Sequence, residues 1–155
     1  MNTSAPSPAR LFGDHFVHDL DAPQRAMLER VRTLARDTFG PQAAEVAKKD
    51  EFAWDTFRTL AREGIVATAF PREHGGSDAP QVLRIRIIEE LGRVCSTTAS
   101  MVTGTHLSGR AIVGGGSEAI KQELLPGLCT GELQSAFALT EPGAGSDLRA
   151  LATTF

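Results

Sequence analysis

Along the first third of the chain, apolar residues recur at helical spacing. Met27, Leu28, Val31, Leu34, Ala35 and Phe39 share one face of a segment running from Gln24 to Phe39, and charged residues fill the other face. This is the 3.6-residue period of an amphipathic helix with one stripe turned to a core. Asp21 is placed to cap it, with Pro23 in the first turn and Gln24 three positions on as a capping-box partner, while Gly40-Pro41 supplies a stop. A second, shorter helix is expected from about Gln42 to Lys49, and a third from about Trp54 to Glu63, ended by Gly64.

The pattern then changes. Ile65-Val66-Ala67-Thr68-Ala69-Phe70-Pro71 is extended by composition, with Pro71 biasing Phe70 away from helix, and it meets the tight loop Glu73-His74-Gly75-Gly76-Ser77-Asp78. From Gln81 to Val94 the start could briefly alternate as a strand. The continuation Glu89-Glu90-Leu91, the possible pairs Arg86 with Glu90 and Glu89 with Arg93, and Gly92 near the end favour a helix.

Ser96 to Val113 interleaves the small Ala99, Gly104, Ser108, Gly109 and Ala111 with Met101, Val102, Leu107 and Ile112. Small side chains let backbones approach closely, so the stretch predicts a helix deep in a bundle, ended by Gly114-Gly115-Gly116. Ser117 caps a short helix through Leu125, with Glu118 near its positive end and Pro126-Gly127 as the stop. Leu133 to Thr140 is short, mostly apolar and uncharged, and predicts a strand buried on both faces. Leu151 to Phe155 reads as the start of a second strand. The chain is therefore mainly α: a flexible tail over 1–20, a helical bundle over 21–131, and over 132–155 the incomplete opening of a β domain.

Composition narrows the partners. A chain of 155 residues with 41% hydrophobic content suits one soluble, globular domain. The net charge of -3, without a basic cluster interleaved with aromatics, gives no reason to expect nucleic acid. Cys95 and Cys129 lie far apart with no His at metal spacing, so buried free thiols in a reducing compartment are expected, with no metal. Met1 to Arg10 has no apolar core of a secretory signal, and no run approaches the roughly 18 apolar residues of a membrane span, so the expected setting is the cytoplasm.

Candidate chemistry concentrates in Thr140-Glu141-Pro142-Gly143-Ala144-Gly145-Ser146-Asp147. Its glycines allow close backbone approach to a ligand, and exposed amides with the Thr140 and Ser146 hydroxyls offer donors to a polar or anionic group. The loop lacks the Lys of a P-loop and does not match the dinucleotide fingerprint. Elsewhere, His106 has no His at i+4 and no nearby acid, so it is expected to be a packed or hydrogen-bonded histidine, and His74 a loop residue. Arg84, Arg86 and Arg93 read as a solvated helix face that could also help hold a phosphate.

Ala136 to Asp147 resembles, nearly residue for residue, the signature of the acyl-CoA dehydrogenase family. Pro71-Arg72-Glu73-His74-Gly75-Gly76 is similar to the family's Pro-x-x-x-Gly-Gly element. Glu89-Glu90-Leu91-Gly92 and Leu125-Pro126-Gly127-Leu128-Cys129-Thr130-Gly131-Glu132 resemble its helix ends. The resemblance covers roughly residues 20 to 155 and implies the family's N-terminal helical domain plus the first strand of a barrel-like middle β domain. It implies that FAD is the cofactor, with Phe137, Leu139 and Thr140 against the flavin and Thr140 donating to its pyrimidine end. Ser146 would contact the acyl-CoA substrate.

The implied reaction is α,β-dehydrogenation, in which a carboxylate takes the α proton and the β hydride passes to the flavin. In the family that base lies in a later helical domain, so Glu141 is read as structural and no catalytic residue is assigned. The resemblance further implies electron-transfer flavoprotein or another acceptor as partner, and a dimer or tetramer of the full-length protein. The chain by itself is expected to have little dehydrogenase activity and weak flavin affinity. Two other readings remain open: a stand-alone helical binding or assembly module, and a sibling flavin oxidase or monooxygenase.

Overall fold

A computed structural model describes residues 20–154. The tail expected over 1–20, apart from Leu20, and the terminal Phe155 lie outside the described residues. Helix α1 (Ala22–Leu34) begins as its cap chemistry requires. Asp21 Oδ1 accepts the Gln24 N–H at 2.8 Å, and the Gln24 side-chain oxygen accepts the Asp21 N–H at 3.1 Å. Its end differs from the expected stop, because a π turn over Ala35–Phe39 leads without a break into α2 (Gly40–Lys48). In an unbroken α-helix the Pro41 ring would strike the carbonyl four residues back. The π turn lets the Gly40 N–H reach Ala35 O, five residues back, and Pro41 then occupies the first turn of α2, where its lost donor is not needed.

Four further helices complete the bundle: α3 (Trp54–Arg62), α4 (Gln81–Gly92), α5 (Ser96–Gly115) and α6 (Glu118–Thr130). Leu28 and Val31 of α1, Phe57 and Leu60 of α3, Ile87 and Leu91 of α4, and Val102 of α5 meet in the main core. A smaller core joins Ala67, Ala69 and Phe70 to Leu125, Leu128 and Cys129 of α6. The small-residue reading of α5 holds at Gly109, where a Cβ would lie 2.3 Å from the Phe70 ring. Only a glycine lets that ring seat against the helix.

Three expectations are corrected. Ile65–Pro71 is not an extended segment, since Val66–Ala69 form a buried 3-10 turn and only Phe70, with φ -105 and ψ 153, is extended ahead of Pro71. A strand here would need neighbours for its backbone groups. The turn closes its own bonds, Thr68 N–H to Ile65 O at 3.3 Å and Phe70 N–H to Ala67 O at 3.2 Å. Helix α6 runs through Pro126 and ends at Gly131, with φ +77. Burial of Leu125, Leu128 and Cys129 explains this, at about 1.5–3 kcal/mol for each leucine against a proline cost of about 3 kcal/mol.

The third correction concerns the charged face of α4. Arg86 is buried, with 2% exposure, and its Nη1 donates to Glu89 at 2.6 Å. Glu90 pairs with Arg32 of α1 at 2.8 Å and with Arg93 at 3.7 Å. The face is thus partly an internal ion-pair seam between α1 and α4, and it includes the i,i+3 pairs Arg86–Glu89 and Glu90–Arg93. Among the described residues, no helix is long and apolar enough to cross a membrane.

Candidate functional site

The segment after α6 leaves the bundle across the face of α5. Gly131 ends the helix, and the Leu133 N–H returns to Gly127 O at 3.0 Å. The Leu133 side chain packs over Gly127, where a Cβ would come within 2.8 Å of it. Gln134 and Ser135 then meet two buried hydroxyls of α5. Thr105 Oγ1 lies 2.9 Å from the Gln134 amide, and Ser108 Oγ is hydrogen-bonded to Ser135 Oγ. Beyond Ser135 the chain stands clear of the bundle.

Residues 133–140 form no paired strand among the described residues, and Phe137 and Leu139 are 43% and 36% exposed, not buried on two faces. A strand is held by its neighbours, and the second extended stretch, 151–154, does not pair with this one. The outcome is an open apolar wall with Thr140, also exposed, at its end.

The loop that follows is ordered by its own contacts. Glu141 and Ala144 exchange backbone bonds of 2.9 and 3.1 Å, which buries Ala144 and turns the chain at Pro142-Gly143. Gly143 and Gly145 border open space, and Ser146 is exposed. Asp147 caps the 3-10 turn Leu148–Ala150 by accepting the Arg149 N–H at 3.2 Å. The site residues read from sequence are thus all solvent-facing: Phe137 and Leu139 on the open segment, Thr140 at its end and Ser146 after the turn.

Glu141 is a clasp. Its two oxygens accept the backbone N–H groups of Ala152 and Thr153, each at 2.9 Å. The Thr153 hydroxyl and these two amides hold its pKa below the usual carboxylate value. A general base for carbon acids needs the opposite shift.

Two other titratable groups are internal. His106 Nε2 sits 3.1 Å from Val66 O and 3.3 Å from Thr68 Oγ1, edge-on to Phe70. Burial, reinforced by the nearby Arg84 charge, brings its pKa down to about 4. The ring is a neutral donor that pins the 3-10 turn to α5. Burial raises the Cys129 thiol to about 11, which removes it as a nucleophile. His74 is buried at the end of the turn Arg72–His74, deeper than a loop residue is expected to be. Among the described residues, no cluster of His, Cys, Asp and Glu could hold a metal ion.

Sequence reasoning did not find a cleft of about 330 Å³ between α1 and α4, lined by Gln24, Met27, Arg72, Asp78 and Leu83 among others. Its one local signal is Asp78, which holds a left-handed φ of 49 with a non-glycine side chain. It also missed Thr105 and Ser108. Nothing in a run of small residues distinguishes a buried hydroxyl that faces a neighbouring segment.

Comparison with known proteins identifies the helical part of the chain. A sequence model described as acyl-CoA dehydrogenase, N-terminal domain, matches residues 21–132. The chain is 35% identical over 140 residues to a cyclohex-1-ene-1-carbonyl-CoA dehydrogenase of Syntrophus aciditrophicus, covering 88% of this chain and 33% of that protein. It is 32% identical to an NADH-dependent acryloyl-CoA reductase of Anaerotignum propionicum, over 87% of this chain and 34% of that one. The solved structure of butyryl-CoA dehydrogenase from Megasphaera elsdenii superposes with a TM-score of 0.75 at 30% identity, over 86% of this chain and 36% of that one. The chain spans about a third of the length of these relatives.

Proposed function

Since this chain belongs to the acyl-CoA dehydrogenase family through its N-terminal helical domain, we propose that it is the N-terminal portion of an FAD-dependent enzyme that dehydrogenates an acyl-CoA thioester between its α and β carbons. The observation that carries the reading is the open wall of Phe137 and Leu139, with Thr140 at its end and Ser146 across the glycine turn. FAD, when bound, supplies the hydride acceptor. Phe137 and Leu139 would exclude water from one face of the ring. Thr140 would donate a hydrogen bond to its pyrimidine edge, where negative charge develops on reduction. Ser146 would hold the acyl-CoA beside it.

Glu141 is ill suited to remove the α proton, because the hydrogen bonds on it stabilise its ionised form. The base therefore comes from elsewhere, and the 155-residue chain by itself should show little turnover and weak flavin affinity. The reading includes an electron-transfer flavoprotein or another acceptor as redox partner, and a dimer or tetramer of the full-length protein. It includes a cytoplasmic setting as well, which the buried free thiols Cys95 and Cys129 favour. The 32% identity to an acryloyl-CoA reductase supports a second reading, the same flavin chemistry run toward the saturated thioester.

The test is anaerobic addition of butyryl-CoA to the purified chain mixed with FAD, with the flavin absorbance followed. Absorbance should persist, because the residue that removes the α proton is not supplied. Rapid bleaching, or turnover with a dye acceptor, would show that the chain carries its own base.

A further inference from the structure

We propose that Thr105 and Ser108 of α5 are positioning residues for the flavin wall, presenting two buried hydroxyls that capture Gln134 and Ser135 and so set where Phe137 and Leu139 stand. The inference rests on the flavin reading above for the wall's purpose, and on geometry alone for the clamp.

Thr105 and Ser108 are three residues apart on α5, hence on one helix face, and are 0% and 6% exposed. Each hydroxyl has one proton to give. Thr105 Oγ1 lies 2.8 Å from the Met101 carbonyl, and Ser108 Oγ lies 2.8 Å from the Gly104 carbonyl, in both cases the acceptor one turn back. A back-bond of this kind uses the proton within the helix and leaves the oxygen lone pairs facing outward. Ser108 also lies 3.4 Å from Thr105 O, a longer contact that leaves Gly104 as its main acceptor.

At Ser108 the outward partner is then a donor: Ser135 O–H donates to Ser108, completing a directed chain from Ser135 through Ser108 to Gly104 O. At Thr105 the outward partner is Gln134 Oε1 at 2.9 Å, so the Thr105 hydroxyl donates between two acceptors, Met101 O and the Gln134 amide oxygen. Helix α5 thus holds two successive side chains through two buried hydroxyls.

These are the last fixed points before the wall. From Gln134 to Thr140 the backbone makes no hydrogen bond among the described residues, and the next closure is the Glu141–Ala144 turn. Phe137 and Leu139 stand two and four residues beyond Ser135, about 7 and 13 Å along an extended chain. A small rotation at the anchor becomes a displacement of ångströms at the wall.

The experiment is 15N relaxation on the purified 155-residue chain, with FAD titration alongside, for wild type, Thr105→Val, Ser108→Ala, Ser135→Ala and the rescue variant Thr105→Ser. The clamp predicts order parameters of about 0.8 at residues 136–140 in wild type and Thr105→Ser, falling below about 0.6 in the other three. FAD affinity should fall about tenfold with them. Ser108→Ala and Ser135→Ala break one bond from its two ends, so the double variant should be no worse than either single variant.

Should Ser108→Ala fail to fold, Ser135→Ala, on the half-buried side of the bond, decides the matter. Unchanged order parameters in Ser135→Ala, or additive losses in the double variant, would overturn the clamp. A wild-type chain with no FAD affinity would overturn the flavin reading, while the relaxation result would still decide the clamp. Looser order parameters with unchanged FAD affinity would overturn the positioning role.

Discussion

Arg32 of α1 donates through Nε to Glu90 of α4 at 2.8 Å, with the two side chains 15% and 8% exposed. Hydrogen bonds to Glu90 and Glu29 raise the Arg32 pKa against the opposing effect of burial. Removing Arg32 takes one charged partner from Glu90, which keeps Arg93 at 3.7 Å, and the loss of such a charged hydrogen bond costs roughly 1.5–3 kcal/mol. Arg32→Ala should therefore lower unfolding stability by about that amount in a urea titration. Replacing Arg32 by Met and Glu90 by Leu together should cost less than the sum of the single changes. Additive losses would show that the pair does not couple the two helices.

Acid should weaken the fold through His106. Its folded pKa is about 4 against histidine's ordinary value of 6.5 in the unfolded chain. Below 6.5 the unfolded chain takes up a proton that the folded ring refuses. Stability falls as pH drops from about 6.5 to about 4 and then levels, by roughly 3 kcal/mol in all. His106→Gln should flatten this part of the pH profile. A wild-type profile already flat between pH 6.5 and 4 would contradict the buried neutral ring.

Gly109→Ala tests the packing of α5. Helix propensity favours alanine by about 1 kcal/mol, yet the added Cβ would lie 2.3 Å from the Phe70 ring. Overpacking of this kind costs roughly 1–3 kcal/mol, so a net loss of thermal stability is expected. Phe70→Leu in the same chain should recover part of it. A gain in melting temperature from Gly109→Ala alone would mean that the ring is free to move aside.

What the sequence made legible was local chemistry. Asp21 and Gln24 announce the start of α1 because a capping box is written in adjacent residues, and its bonds form as read. The alternation of small and large residues announces α5, although close packing requires a small residue at Gly109, against Phe70, and not at Gly104, which borders open space. Pro41 and Pro126 misled because a proline's cost is local while its compensation is not. A π turn absorbs the first, and burial of Leu125 and Leu128 outweighs the second.

The candidate site was legible for a different reason. Residues 136–147 resemble a family signature, which suggests the wall without giving what holds it. The burial of Arg86, the ion pair from α1 to Glu90, and the hydroxyl pair Thr105 and Ser108 depend on which segments meet. No one-dimensional pattern carries that information.

The central claim, that Phe137 and Leu139 form a flavin wall, is tested most directly by FAD titration of the purified chain, read by quenching of flavin fluorescence. Wild type should show weak but saturable binding. Phe137→Ala with Leu139→Ala should weaken it at least tenfold, about 1.4 kcal/mol or more, while leaving the far-ultraviolet helical signal unchanged. Equal affinity in the two chains, or no saturable binding by wild type, would contradict the account.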